Sequence, residues 1–503
     1  MSSQELELAR NFEKQYLPYH TEELPKFHLT GGIGWINDPN GFAAYRGEYH
    51  LFFQYHPYDV KWGPMHWGHV KTKDFIHWER LPIALAPDQG YDKDGCFSGT
   101  ALEMPDGRHL LMYTGVLSSR SSDGRMEEIQ TQCVAFGDGV DYEKYEGNPV
   151  IDHTMLPPGG SKNDFRDPKV WYEDGMYHAV VANRTADGSG AILLFESEDA
   201  MHWNYVGVLA ASHNQYGRMW ECPDFFKLEG KDVLLVSPAE MEAIGLEYHP
   251  GNGTVCMIGK FDRNSHQLIR KNIHAIDYGM DFYAPQTLET YDGRRIMIAW
   301  MQNWETSGVK CRGLRFCGQM TVPRELTIRN GRLCQNPIRE LEKYRSGYFN
   351  YQKVMITRDT SLVGISGRHA DITLSVRPGN LNKIYQSFHI YLAKDGVHYT
   401  HIRVKPATGT VRVDRTHSGF PYDIVNVREF PVSCGDGEIK MRIILDTYSM
   451  ELFVNDGEQA ASFVIYTPEN AKAISFFAEG AALMNIEKYD LCISQPSGTP
   501  LTL

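Results

Sequence analysis

The chain has no apolar run approaching the ~18 consecutive residues needed to cross a bilayer. Residues 1–7, MSSQELE, carry neither a basic stretch nor the start of an apolar one, so no secretory signal is expected and the protein is placed in the cytoplasm. Positive charge is scarce: 50 Lys and Arg stand against 63 Asp and Glu, a formal net charge of −13. That balance argues against a nucleic acid or an anionic membrane as partner. CxxC pairs are absent. The nine cysteines are odd in number and scattered, which points to reduced, mostly buried thiols. His50, His56, His66 and His69 match no metal-ligand spacing, so no metal and no cofactor are expected.

What is present is an ordinary globular composition, 42% hydrophobic and 22% charged, in 503 residues. That length exceeds what one core supports, so two domains are expected. A short amphipathic helix over residues 3–16 is read from Leu8, Phe12 and Tyr16 at i+4 spacing. Beyond it the pattern is β.

Five apolar runs begin at Tyr49, His109, Tyr177, Val233 and Ile296, each after a glycine: Gly47, Gly107, Gly175, Gly230 and Gly293. The glycines recur at steps of about 60, 68, 55 and 63 residues. A second series, Trp78, Tyr142, Trp203 and Leu268, keeps the same beat, and KDFIHW at 73–78 is nearly repeated by EDAMHW at 198–203. A unit of about 60 residues has room for four short strands, and five such units read as a five-bladed β-propeller. After about residue 345 the beat stops. Period-two runs at 370–376, 399–404, 439–444 and 451–454, with the hairpin signal Asn455-Asp456-Gly457, read as an antiparallel β-sandwich. The expected organisation is all-β: a helical extension over 1–26, a propeller over 27–340, a linker over 341–350 and a sandwich over 351–503.

WINDPNG at 35–41 reads locally as a turn, because Asp-Pro-Asn-Gly suits turn geometry. The matching places in later units are FSGT from Phe97, FRDP from Phe165, WECPD from Trp220 and DFYAPQ from Asp281. Three of the five therefore carry an acid with a proline one or two places on: Asp38, Asp167 and Glu221. Inner strands of a propeller line one channel, so these acids should converge. Two carboxyls whose environments separate their pKa values can split the work of glycosidic cleavage. Glu221, between Trp220 and Cys222, has the more apolar neighbours and is the expected proton donor. Asp38, beside Asn37 and turn N–H groups, is the expected nucleophile. Arg166 should keep Asp167 ionised, a fixed anion beside an oxocarbenium-like transition state. The surrounding aromatics Trp35, Trp62, Trp67, Phe97, Tyr283, Trp300 and Trp304 suit the C–H faces of a sugar, and Asn37 and Gln54 its hydroxyls.

In this order, WINDPNG, FSGT, FRDPKVW, MWECPDFF and DFYAPQ resemble glycoside hydrolase family 32, the β-fructofuranosidases (invertases, sucrose-6-phosphate hydrolases and fructanases), over nearly the whole chain. LFVNDG from Leu452 extends the likeness into the sandwich, and WGPMHWGH from Trp62, KDGCFSG from Lys93 and GRRI from Gly293 carry it most to intracellular bacterial sucrose hydrolases. The resemblance implies Asp38 as nucleophile of a fructosyl-enzyme, Glu221 as acid and then base, and Asp167 as transition-state stabiliser. It implies a fructose pocket lined by Trp35, Asn37, Gln54, Trp62, Phe97, Ser98, Arg166, Tyr283 and Trp300. It also implies net retention, with the two working carboxyls nearer ~5–5.5 Å apart than the wider inverting spacing, and no metal.

The substrate implied is sucrose, sucrose 6-phosphate or a short fructo-oligosaccharide. Lys310, Arg312 and Arg315 could bind a phosphate at the glucose end. A fructosyltransferase or exo-fructanase would use the same residues. A non-catalytic sugar-binding propeller would keep the aromatics without needing three acids. Neither oligomeric state nor pH optimum is legible.

Overall fold

The computed structural model describes residues 3–17, 23–120, 124, 126–304, 306–307, 313–380, 383–420 and 424–493. Each repeated apolar run is the second strand of a sheet: Glu48–His56, His109–Arg120, Met176–Arg184, Lys231–Ala239 and Arg295–Trp300. The glycine before each run sits in a hairpin at φ 82, 82, 85, 72 and 81° respectively. A side chain is strained at such angles, which is why glycine recurs on the beat. Each run pairs antiparallel with an inner strand: Gly34–Tyr45, Gly95–Glu103, Phe165–Glu173, Met219–Leu228 and Tyr283–Glu289. Every inner strand touches the next in this order, and the last touches the first, so they surround one axis as in a β-propeller. The second series marks the connector from third to fourth strand. Asp74 Oδ1 accepts the N–H groups of Ile76 and His77 at 3.0 and 2.8 Å, and Asp199 Oδ1 those of Met201 and His202, both at 2.8 Å. Phe316–Cys317 adds a parallel partner to the first inner strand, opposite Gly34 and Trp35.

The Asp-Pro-Asn-Gly segment is not a hairpin turn. It lies inside the twelve-residue strand Gly34–Tyr45. Pairing slips there between Ile36 and Pro39, and all five inner strands slip at the corresponding place. Asp167, Cys222 and Ala284 adopt φ 63, 47 and 51°, and each is followed by a proline. A bulge inserts a residue and re-aims its side chain, and proline loses no ladder bond there. The recurring proline therefore marks a bulge on the channel wall.

The N-terminal helix Gln4–Tyr16 is capped by Ser3, whose side chain accepts Leu6 N–H at 3.1 Å. Its buried residues are Leu6, Ala9 and Glu13, whereas Leu8 is 56% exposed. The expected Leu8 face is displaced by polar docking: Arg80 pairs with Glu13 at 3.3 Å and Arg10 Nε donates to the Ile83 carbonyl at 2.9 Å.

A 3-10 helix, Arg339–Tyr344, leads into a sandwich of a six-stranded and a five-stranded sheet. Asn455, Asp456 and Gly457 form a hairpin at φ 49, 58 and 84°, and Gln335 N–H donates to the Gly457 carbonyl at 3.0 Å. The two domains also share a fully buried ionic network. Arg324 pairs with Glu451 and, at 2.9 Å, with Asp277. His28 lies between Asp446 at 2.8 Å and Glu451 at 2.9 Å. Burial pulls the His28 pKa down, but the two carboxylates outweigh it and hold it at about 9. The expectation of wholly reduced cysteines needs correction. Seven described cysteines are free, six of them buried, while Cys317 is disulfide-bonded.

Candidate active site

The bulges bring together the three acids that the sequence separates. Cys222, between Glu221 and Pro223, is the joint. Its backbone N–H donates to Asp167 Oδ2 at 3.0 Å, and its thiol donates to Asp38 Oδ2 at 3.5 Å. Ser98 Oγ, from the second inner strand, donates to the same Asp38 oxygen at 2.9 Å. Asp38 Oδ1 has no protein hydrogen-bond partner. Glu221 is held on both oxygens: Arg166 donates to Oε1 at 2.7 Å, and the Tyr283 hydroxyl donates to Oε2. Thr114 Oγ1 accepts the Asp167 N–H at 2.9 Å and fixes the bulge beneath it.

The charges differ from the sequence expectation. Burial raises the Asp38 pKa, and the Glu221 carboxylate raises it further. Burial lifts Asp167 to about 7; Arg166 opposes this, and Glu221 and Asp38 reinforce it. Arg166 lies 3.9 Å from Asp167 but makes its short contact to Glu221, which is why it fails to hold Asp167 low. Of the apolar neighbours expected around Glu221, Trp220 is a neighbour only in sequence. The Trp220 indole turns away to donate to the Tyr216 carbonyl at 2.7 Å, and Glu221 faces a guanidinium and a phenol. Burial and mutual repulsion thus raise both Asp38 and Asp167 above the ordinary carboxyl range, beside a single close guanidinium.

The other sequence candidates fall around this cluster. Trp35 is buried and donates from Nε1 to Asn37 Oδ1 at 2.8 Å. Its ring stacks on Trp304 at 5.8 Å and lies 5.9 Å from Trp300. Trp300 is fully buried, with its indole N–H unpartnered. Trp62, 48% exposed, meets Phe97 edge-on at 6.0 Å. Gln54 Nε2 donates to the Cys96 carbonyl at 2.9 Å, bracing the strand that carries Phe97 and Ser98. Trp67 is not on the rim. It is fully buried and donates to the Phe97 carbonyl at 3.1 Å. Lys310 and Arg312 lie outside the described residues, and Arg315 is exposed.

Sequence reasoning took Cys222 only as an apolar neighbour of Glu221 and missed Thr114, Gln130 and Ser237. Gln130 Oε1 accepts Arg166 at 3.2 Å, and the Ser237 carbonyl accepts the Tyr283 hydroxyl at 3.0 Å. Cys222 alone had a signal, its place between an acid and a proline on the blade beat. Among the described residues no group of His, Cys, Asp and Glu is arranged to hold a metal ion, and no helix is long and apolar enough to cross a membrane.

Comparison with known proteins matches residues 28–337 to the glycosyl hydrolases family 32 N-terminal domain and residues 340–491 to the family 32 C-terminal domain. A raffinose invertase from Escherichia coli is 36% identical over 461 residues, covering 90% of this chain and 92% of that protein. A sucrose-6-phosphate hydrolase from Zymomonas mobilis is 34% identical over 490 residues, covering 92% and 91%. A mutant family 32 β-fructofuranosidase from Bombyx mori, solved in complex with sucrose, superposes with a TM-score of 0.81 at 32% identity, over 98% of each chain.

Proposed function

This chain belongs to glycosyl hydrolase family 32, and from that premise we propose that it is a β-fructofuranosidase releasing the terminal fructose of sucrose, with or without a 6-phosphate. The observation that carries the reading is the meeting of Asp38, Asp167 and Glu221 from three inner strands through one residue, Cys222. The five sheets are read as the five blades, and the cytoplasm as the place of action.

Asp38 attacks the anomeric carbon with Oδ1, the oxygen left unpartnered, while Ser98 and Cys222 steady Oδ2. Glu221 gives its proton to the departing glucosyl oxygen. It then takes one from the water that opens the fructosyl-enzyme, so the anomeric configuration is retained. Asp167 binds fructose hydroxyls and faces the positive charge that develops on the ring. Arg166 and Tyr283 hold Glu221 in both its protonation states. Trp35, Trp300 and Phe97 form the apolar wall, and Trp62 the rim.

The test is fructose release from sucrose and from sucrose 6-phosphate under identical conditions, with proton NMR of the first-formed fructose. Release with a retained anomer is expected. A tenfold preference for the phosphorylated sugar, about 1.4 kcal/mol of added transition-state binding, assigns a phosphate site at the glucose end. Fructose from neither sugar overturns the reading, and an inverted anomer removes Asp38 as nucleophile.

A further inference from the structure

The sandwich reaches the active site through one buried ion pair. Arg415, just past the strand Thr410–Asp414, is fully buried. Its guanidinium donates to Asp281 Oδ2 and, at 3.2 Å, to the Val464 carbonyl. Val464 N–H donates to the same Asp281 oxygen at 2.8 Å. Both sandwich groups thus grip one propeller carboxylate, itself fully buried. The other oxygen of Asp281 is taken within the propeller: Asn303 Nδ2 donates to Oδ1 at 2.8 Å and to the Met280 carbonyl at 3.0 Å. With its amide nitrogen so held, Asn303 presents Oδ1 to Thr306, accepting its N–H and hydroxyl, both at 2.8 Å. This fixes the turn that carries Trp304. Ser307 Oγ closes the turn by donating to the Trp304 carbonyl at 3.1 Å. The Trp304 ring stacks on Trp35, whose indole holds Asn37, the residue before Asp38.

We propose that Arg415 is a positioning residue for the hydrolysis assigned above: by gripping Asp281 it sets Asn303, and through it the Trp304 ring against Trp35 on the wall of the sugar site. The proposal rests on the proposed function for its kinetic arm only. Domain cohesion alone does not require the relay, since the Arg324, Glu451, Asp277 and His28 network already joins the domains. An Asp281 that only paired with the sandwich would not need its second oxygen to orient Asn303. Aromatic walls bind a sugar in ground and transition states alike, so misplacing one raises KM more than it lowers kcat.

The experiment compares Arg415→Met, Asn303→Ala and their combination. Expected are a KM for sucrose raised about fivefold or more in each single variant, kcat changed less than threefold, and a double variant no worse than the more affected single one. Such non-additivity marks a shared path. Acrylamide quenching of the folded protein's tryptophan fluorescence should rise in both single variants, and the rise should vanish in a Trp304→Phe background. Arg415→Met that lowers Tm while leaving KM and quenching unchanged overturns the proposal, as do effects that simply add. If Arg415→Met fails to fold, Asn303→Ala decides, and an unchanged KM with unchanged quenching overturns it. A wild-type chain that releases no fructose removes the proposed function, and the quenching arm then decides this relay alone.

Discussion

The backbone N–H of Cys222 donates to Asp167 Oδ2 at 3.0 Å, so the bulge that aims Glu221 also anchors a second acid. The thiol of the same residue reaches Asp38. Burial, with the neighbouring Asp167 and Asp38 charges, pushes that thiol well up, so it is a proton donor and not a nucleophile. Cys222→Ser should keep kcat within a few-fold. Cys222→Ala, which keeps the N–H and loses the thiol, should lower kcat about tenfold and move the acidic limb of the pH–rate profile upward. A Cys222→Ala enzyme without measurable turnover would point instead to a cysteine nucleophile.

Glu221 and Asp38 should separate by leaving group. Glu221→Gln removes the proposed proton donor and should cost ~10²–10⁴-fold in kcat on sucrose. Much of that loss should return on an aryl fructoside whose leaving group needs no proton. Asp38→Asn should lose roughly 10³-fold or more on both substrates. Recovery of Asp38→Asn on the aryl fructoside would exchange the two roles.

Asp167 sets a stability prediction whose sign follows from its raised pKa of about 7. The unfolded chain releases this proton near pH 4, before the folded one does. The group therefore loses stability progressively as pH rises from about 4 to about 7, and the loss is constant above that. Asp167→Asn should unfold at a higher temperature than wild type at pH 8, and at nearly the same temperature at pH 4, while nearly abolishing turnover. Thermal melts at the two pH values check this. An Asn variant less stable at pH 8 contradicts the strain assigned here.

His28 behaves in the opposite sense. With a folded pKa of about 9, its stabilisation is fully present below about pH 6.5 and is lost as pH rises through 9. His28→Gln leaves Asp446 buried without its cation and Glu451 with Arg324 alone, at a cost of about 3 kcal/mol. Denaturant midpoints should show this deficit at pH 6 and a smaller one at pH 9.5. An equal deficit at both would mean that His28 contributes by shape alone.

Much of this was legible because a propeller repeats its local chemistry. The glycine beat found the five hairpins, and the acids on that beat found the three strands that carry them. The bulges were not legible. Asp-Pro-Asn-Gly has turn chemistry, and only pairing on both sides shows that the slip happens within a strand. Trp220 misled because successive residues of a strand face opposite sides, so its indole points away from Glu221 although it precedes it in sequence. The raised acids also follow from spatial convergence, which sequence spacing indicates without giving distances. The ionic network between the domains was out of reach altogether, since His28 and Glu451 are more than four hundred residues apart and neither lies in a motif.

The parallel pairing of Gly34 and Trp35 with Phe316 and Cys317 has a consequence for the chain as it is being made. The strand that carries Asp38 leaves the ribosome early, and its lateral partner only after about 280 further residues. Chains are built at ~5–20 residues per second and domains fold as units, so for tens of seconds the nascent chain holds Asp38 on a segment whose parallel partner is not yet made. A chain that stops short of Phe316 would carry all three acids yet lack the parallel neighbour of its first inner strand.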